Sequence, residues 1–140
     1  MLRGQGRVVA AVAAGGLLGA SGRYGAALLW PTARDAFPWT TLLVNTAGCA
    51  VIGVVLVAIT EGPWRPHPLL RPFVATGVLG GFTTFSTYAV DAQQLFDHGL
   101  PGKGLLYLGG TLLAAMGAVW GAAGATRAAL LARAERKGGR

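Results

Sequence analysis

Four long apolar runs alternate with short polar stretches along this chain, at about residues 8–30, 40–60, 69–96 and 104–132. The seven prolines fall between the runs or at their edges: Pro31 and Pro38, then Pro63, Pro66, Pro68 and Pro72, then Pro101. Proline lacks the amide hydrogen that a helix interior needs, so these clusters mark connections. Each run reaches the roughly 20 helical residues that cross a hydrocarbon core. Trp30, Trp39 and Trp64 sit at run ends, where interfacial tryptophans belong. The pattern predicts an all-α integral membrane protein, with residues 1–140 forming a single membrane domain. It has four transmembrane helices and a basic C-terminal tail at 133–140. The opening MLRGQGRVVAAVAAGGLLGASG also has the shape of a signal peptide. Three further runs of equal apolarity favour a first spanning helix instead.

Composition supports the membrane class. Hydrophobic residues make up 53% of the chain and charged residues only 12%, against roughly 25% charged in soluble domains. The net charge of +7 raises the question of nucleic acid. The basic residues are gathered at run ends, however, and form no polar basic face with stacking aromatics, so no nucleic-acid partner is expected. They suit membrane-edge charges facing anionic lipid. Arg3, Arg7, Arg65, Arg71, Arg127, Arg133, Arg136, Lys137 and Arg140 fall on one side of a four-span topology, and only Arg34 and Lys103 on the other. That bias predicts a multi-pass protein of the cell membrane with both termini cytoplasmic. Cys49 is the sole cysteine and reads as a small buried hydrophobe. His67 and His98 fall in connections, and no metal-ligand spacing is present.

Several polar residues lie inside the runs. Arg23 sits in AGGLLGASGRYGAALLW, where a charge at a helix centre costs about 2.5–3.5 kcal/mol on insertion scales. Either its long stem snorkels to an interface, or it faces a wet cavity and attracts an anion. Asn45, in TLLVNTAGCAVIG, is either an interhelical packing bond or a donor lining a pore. The third run carries GGFTTFSTYAVD, residues 80–91. Here glycines precede Thr83, Thr84, Ser86, Thr87 and Tyr88, and Asp91 follows. Such a segment forms a weak helix. Its hydroxyls either bond back to carbonyls one turn earlier, or the helix opens and frees carbonyls that could hold a cation. Tyr107 and Thr111 share a face of the fourth run by i,i+4 spacing. One cation, one acid (Asp91) and many neutral donors suit a small anion better than a cation.

Three stretches in order, GGLLGASGRY (15–24), TLLVNTAGCAVIG (41–53) and GVLGGFTTFSTYAVD (77–91), make the chain resemble the Fluc/CrcB family of fluoride channels over nearly its whole length. The resemblance implies an antiparallel dimer with two fluoride pores between the subunits. It also implies a sodium ion at the dimer centre, held by backbone carbonyls at a break in the third helix, which map to Gly80 and Thr83. It assigns Asn45 as a pore donor, Phe85 and Tyr88 as the aromatics bounding the path, and Tyr107 and Thr111 as a hydroxyl track. Arg23 falls near the vestibule, and Thr84, Ser86 and Asp91 complete the expected pathway. Two positions depart from the family pattern. Tyr88 stands where phenylalanine is usual, and Asp91 where glutamate is more often found. The extra Tyr88 hydroxyl either bonds the anion or ties the ring down.

The expected function is a channel, not an enzyme, through which cytoplasmic fluoride leaves passively, relieving its toxicity. The rivals are a small proton-coupled multidrug exporter, which would want an acid in the first span where this chain has Arg23, and a non-transporting membrane assembly subunit. The nine-to-two charge bias fixes one insertion orientation, so the expected partner is a homologous chain of opposite orientation rather than a second copy.

Overall fold

The computed structural model describes residues 5–138, and every residue with assigned regular structure is helical. Arg3 and Arg140, which enter the charge bias, lie outside the described residues, as does the side chain of Lys137. The elements are α1 (Gln5–Leu29), α2 (Trp39–Glu61), a π-helical segment (Pro72–Val78) continuing into α3 (Leu79–Phe82), then α4 (Phe85–Asp97) and α5 (Pro101–Gly138). The third run is therefore broken, as its glycines and hydroxyls predict, at Thr83 and Thr84. Both have extended backbone, with φ/ψ of −76/155 and −145/122.

Among the described residues, three segments are long and apolar enough to cross a membrane: Trp39–Glu61, Pro72–Asp97 and Pro101–Arg136. The sequence pattern predicts four, with α1 as the first. α1 has the length but not the apolarity, because six glycines, Ser21 and Arg23 dilute its aliphatic residues. Two boundaries also move. Pro101 and Pro72 open helical segments rather than lying in connections, since the first turn has no use for proline's missing N–H. α5 runs on as helix to Gly138, through the described part of the basic stretch from Arg133.

Glycines decide which helices meet. Gly15 and Gly19 of α1 are buried against the broken helix. A side chain at Gly15 would run into the Phe73 carbonyl, and one at Gly19 into the Val78 carbonyl. The contact is reciprocal: a Cβ at Gly77 would come within 2.8 Å of the Val12 carbonyl, and one at Gly81 within 2.5 Å of the Gly16 carbonyl. Close backbone approach through small residues is how helices associate where lipid supplies no hydrophobic drive. Valine at Gly19 is therefore expected to destabilise the fold by about 3 kcal/mol or more, because backbone cannot step aside as a side chain can. Unfolding in detergent would check this, and an unchanged midpoint would refute it.

α2 and α5 run parallel, and they meet closely at Gly53, where an added Cβ would come within 2.6 Å of the Val119 carbonyl and 3.2 Å of the Ala122 Cβ. A Cβ added at Gly110, Gly117 or Gly121 of α5 would meet nothing within 4 Å among the described residues, so these glycines are not needed for packing within the chain. α4 turns into α5 through Gly99 at φ 71, where Leu100 N–H bonds the Leu95 carbonyl and Gly99 N–H the Phe96 carbonyl. That paired arrangement closes a helix end with a left-handed glycine. The turn brings Tyr107 (0% exposed) against Leu95 and Ala92, with Phe37, Tyr88 and Leu108 around them.

The chain exposes 9350 Å², where a soluble monomer of this mass exposes about 6,800 Å². Much of the excess is large and apolar, including Leu17, Leu18, Leu113, Trp120 and Phe85. A surface of that kind needs lipid or a partner to cover it.

Candidate functional site

The site is built around the break. Asn45 projects from α2 and grips Thr84 by both of its backbone groups. Thr84 N–H donates to Asn45 Oδ1 at 2.8 Å, and Asn45 Nδ2 donates to the Thr84 carbonyl at 3.0 Å. Asn45 thus makes an interhelical bond and keeps one further N–H to give, so the two alternatives open in the sequence are compatible. Gly48, one turn on, leaves space for the Thr83 methyl. Thr83 Oγ bonds back to the Leu79 carbonyl at 2.9 Å, which is the local hydroxyl behaviour weighed against opening; here both occur.

The helix restarts with Thr84 as its cap. Thr84 Oγ1 accepts from Thr87 N–H at 3.1 Å and donates to Thr87 Oγ1 at 3.0 Å. Ser86 Oγ lies 3.3 Å from the same atom. On the other side Arg23 Nε donates to the Gly81 carbonyl at 3.2 Å. Arg23 is therefore tied into the break, and its remaining N–H groups have no partner among the described residues. The carbonyls of Gly80 and Thr83 accept no hydrogen bond among the described residues.

Arg23, Thr40, Thr41, Thr84 and Thr87 line a cavity of about 120 Å³ between α1, α2 and the break. Deeper along α4 and α5 lies a second polar cluster. Asp91 Oδ2 accepts from Thr41 Oγ1 at 2.6 Å and from Tyr107 Oη at 3.3 Å. The shorter acid thus reaches two other helices through hydroxyl donors. A hydroxyl carries one proton, so Tyr107 cannot serve another acceptor while it holds Asp91. Thr111, on the same face of α5, is buried with its hydroxyl unpartnered among the described residues.

Phe85 and Tyr88 lie on one side of the restarted helix, with ring centroids 5.8 Å apart. Tyr88 leads inward to Tyr107 at 5.3 Å and from there to Phe37 at 5.6 Å. The Tyr88 hydroxyl donates to the Leu108 carbonyl at 2.9 Å, so of the two fates open to it the structure has the ring tied down. Phe85 is the outlier, 81% exposed.

The structure brings Arg23, Asn45 and Thr84 together, and separately Asp91, Tyr88 and Tyr107, while Phe85 and Gly80 face outward. Sequence reasoning missed Thr41, which lines the cavity and also holds Asp91. Its signal was available: it lies i,i+4 from Asn45 on α2, hence on the same face. Thr40, whose hydroxyl bonds the Trp30 carbonyl, carried no such signal.

Comparison with known proteins supplies the family. The family described as "CrcB-like protein, Camphor Resistance (CrcB)" matches residues 10–124. The chain is 60% identical over 129 residues to the fluoride-specific ion channel FluC 1 of Streptomyces coelicolor, covering 91% of this chain and 82% of that one. It is 50% identical over 130 residues to FluC 2 of Thermobifida fusca, covering 93% and 96%. With FluC of Thermus thermophilus it shares 45% over 102 residues, covering 72% and 80%. A family match spanning all the helices of the site, joined to identities of this size over nearly the full chain, leaves one conclusion: the chain belongs to the CrcB family.

Proposed function

We propose that the chain is a subunit of a fluoride-specific ion channel that releases cytoplasmic fluoride passively down its gradient. Hydrogen fluoride is neutral, crosses lipid in acid surroundings and dissociates inside, and a pore for the anion lets it drain. The observation that carries the proposal is the break at Thr83–Thr84, clamped by Asn45 beside Arg23 and a group of hydroxyls. Fluoride holds its hydration shell tightly. Selectivity therefore asks for donors that replace water without binding too strongly to release the ion. Arg23 draws the anion to the vestibule. Asn45, Ser86 and Thr87 offer neutral donors, Thr84 joins them by exchanging its bond to Thr87 for one to the ion, and Phe85 and Tyr88 present ring edges with partial positive charge. Tyr107 and Thr111 form the exit track, with Tyr107 exchanging its bond to Asp91 for one to the ion.

The exposed apolar face, Phe85 included, supports an antiparallel dimer in which the partner completes the path, with α1 as the fourth span. Sodium fits the donor set at the break. The Gly80 and Thr83 carbonyls are hard oxygen donors lacking any N–H partner among the described residues, which suits a hard cation. When bound, such an ion would fix the two breaks against each other at the dimer centre. Both termini lie in the cytoplasm, and the nine-to-two charge bias selects a homologous partner of reversed orientation. Epitope tags at either terminus are expected to report one orientation in cells. Substantial populations in both would make the homodimer the correct assembly.

Efflux from proteoliposomes tests the function. Purified protein is expected to release fluoride rapidly and chloride not at all. No fluoride flux would favour the assembly-subunit reading, and proton-coupled export of organic cations the transporter reading. Tyr88→Phe is expected to keep fluoride flux within about threefold of wild type. It should lower stability by only about 0.6 kcal/mol, the average worth of an interhelical hydrogen bond in a membrane. A larger loss of flux at unchanged stability would mean that the hydroxyl handles the ion.

A further inference from the structure

The end of the bundle that carries most of the basic residues holds a second site, remote from the break. Arg127 Nε donates to both carboxylate oxygens of Glu61, the last residue of α2, at 2.8 and 3.0 Å. α5 then continues to Gly138, about 16 Å past the end of α2 at helical rise. Between this overhang and the residues that follow α2 opens a cleft of about 910 Å³, with Trp64 on one wall and Leu130, Arg133 and Arg136 on the other. Trp64, Leu130 and Arg133 are shared with a narrower groove of about 360 Å³. That groove runs back between α2 and α5 past Val54, Ala58, Ala122 and Ala129. A charged mouth thus leads into an apolar channel along the helices.

The charge at the mouth is uncompensated. Glu61 is neutralised by Arg127, while Arg133 and Arg136 have no carboxylate partner among the described residues, and neighbouring Glu135 pairs with neither. The mouth lies at the end of a spanning helix beside a half-exposed tryptophan, which is the level of lipid headgroups. A free phosphate would satisfy the arginines and leave the apolar groove unfilled. A neutral apolar molecule would fill the groove and leave the arginines bare. We propose that this cleft seats an anionic phospholipid, its phosphate between Arg133 and Arg136, its glycerol beside Trp64 and one acyl chain along the Ala58–Ala129 groove. A seated lipid would bridge α2 and α5 where they diverge.

Native mass spectrometry of the intact assembly in detergent, with equal dioleoyl-phosphatidylglycerol and dioleoyl-phosphatidylcholine, tests this. The wild type is expected to retain the anionic lipid in preference. Arg133→Ala and Arg136→Ala should each lower its retention about fivefold, and the double variant about 25-fold, with phosphatidylcholine unchanged. Ala129→Trp, which fills the groove and leaves the charges, should lower retention of both lipids. Inorganic phosphate at millimolar concentration should displace neither. Fluoride efflux from phosphatidylcholine vesicles is expected to be unchanged in the arginine variants, and Arg→Gln replacements stand in should the alanine forms fail to fold. Equal retention of the two lipids, wild-type retention by the double variant, displacement by phosphate alone, or dissociation of the assembly by Ala129→Trp would each overturn the proposal. The last would make the groove a subunit contact.

Discussion

Asn45→Ala is expected to cut fluoride flux roughly 10- to 150-fold, the scale of one hydrogen bond to a charged group. It is also expected to weaken the fold. Asn45 touches both the N–H and the carbonyl of Thr84, and two backbone groups at an open point in a membrane helix then have no partner. Each such group costs about 1–3 kcal/mol. Asn45→Asp separates the two roles. Its carboxylate still accepts from the Thr84 N–H, so the fold should lose less, while the added negative charge should abolish anion flux. Efflux and detergent unfolding measured on both variants check the pair. Wild-type flux in Asn45→Ala would remove the residue from the path, and equal flux loss at equal destabilisation in both would reduce it to a staple.

Phe85→Ala is expected to do the reverse, sparing the single chain and disabling transport. With 81% of its surface exposed, the ring contributes almost nothing to the packing of its own subunit beyond Tyr88. Its removal should leave helix content unchanged. Flux should fall about tenfold or more, the scale of losing one aromatic contact. Chemical cross-linking should still recover the proposed dimer. Undiminished efflux from dimeric Phe85→Ala would place the ring against lipid and end its assignment to the pathway.

The contrast between these residues explains what could be read in advance. Helices are legible in this chain because a membrane interior forces every backbone group to find a partner within its own segment. Apolar runs of spanning length then have one outcome, and prolines mark their limits. The break was legible for the complementary reason: paired glycines beside hydroxyl residues weaken the helix locally. α1 was harder to judge, since the glycines that dilute its apolarity are the ones that let it press against the broken helix. Their partners, Gly77 and Gly81, lie some sixty residues away, and no local pattern announces that pairing. The same limit hid Thr41. Its i,i+4 spacing from Asn45 is local and places it on the right face, but its importance comes from Asp91 and Tyr107 on two other helices.

The sequence by itself determined the class of the molecule, the number and rough extent of its apolar segments, the helix break and the shortage of buried charge. All of these follow from local composition and from the solvent the chain must satisfy. Only the tertiary structure decided that Asn45 holds the break open, that the Tyr88 hydroxyl is tied to Leu108, that Asp91 is shared by Thr41 and Tyr107, and that Phe85 is left uncovered. Those outcomes rest on which helix faces meet, which is set by backbone approach at distant glycines.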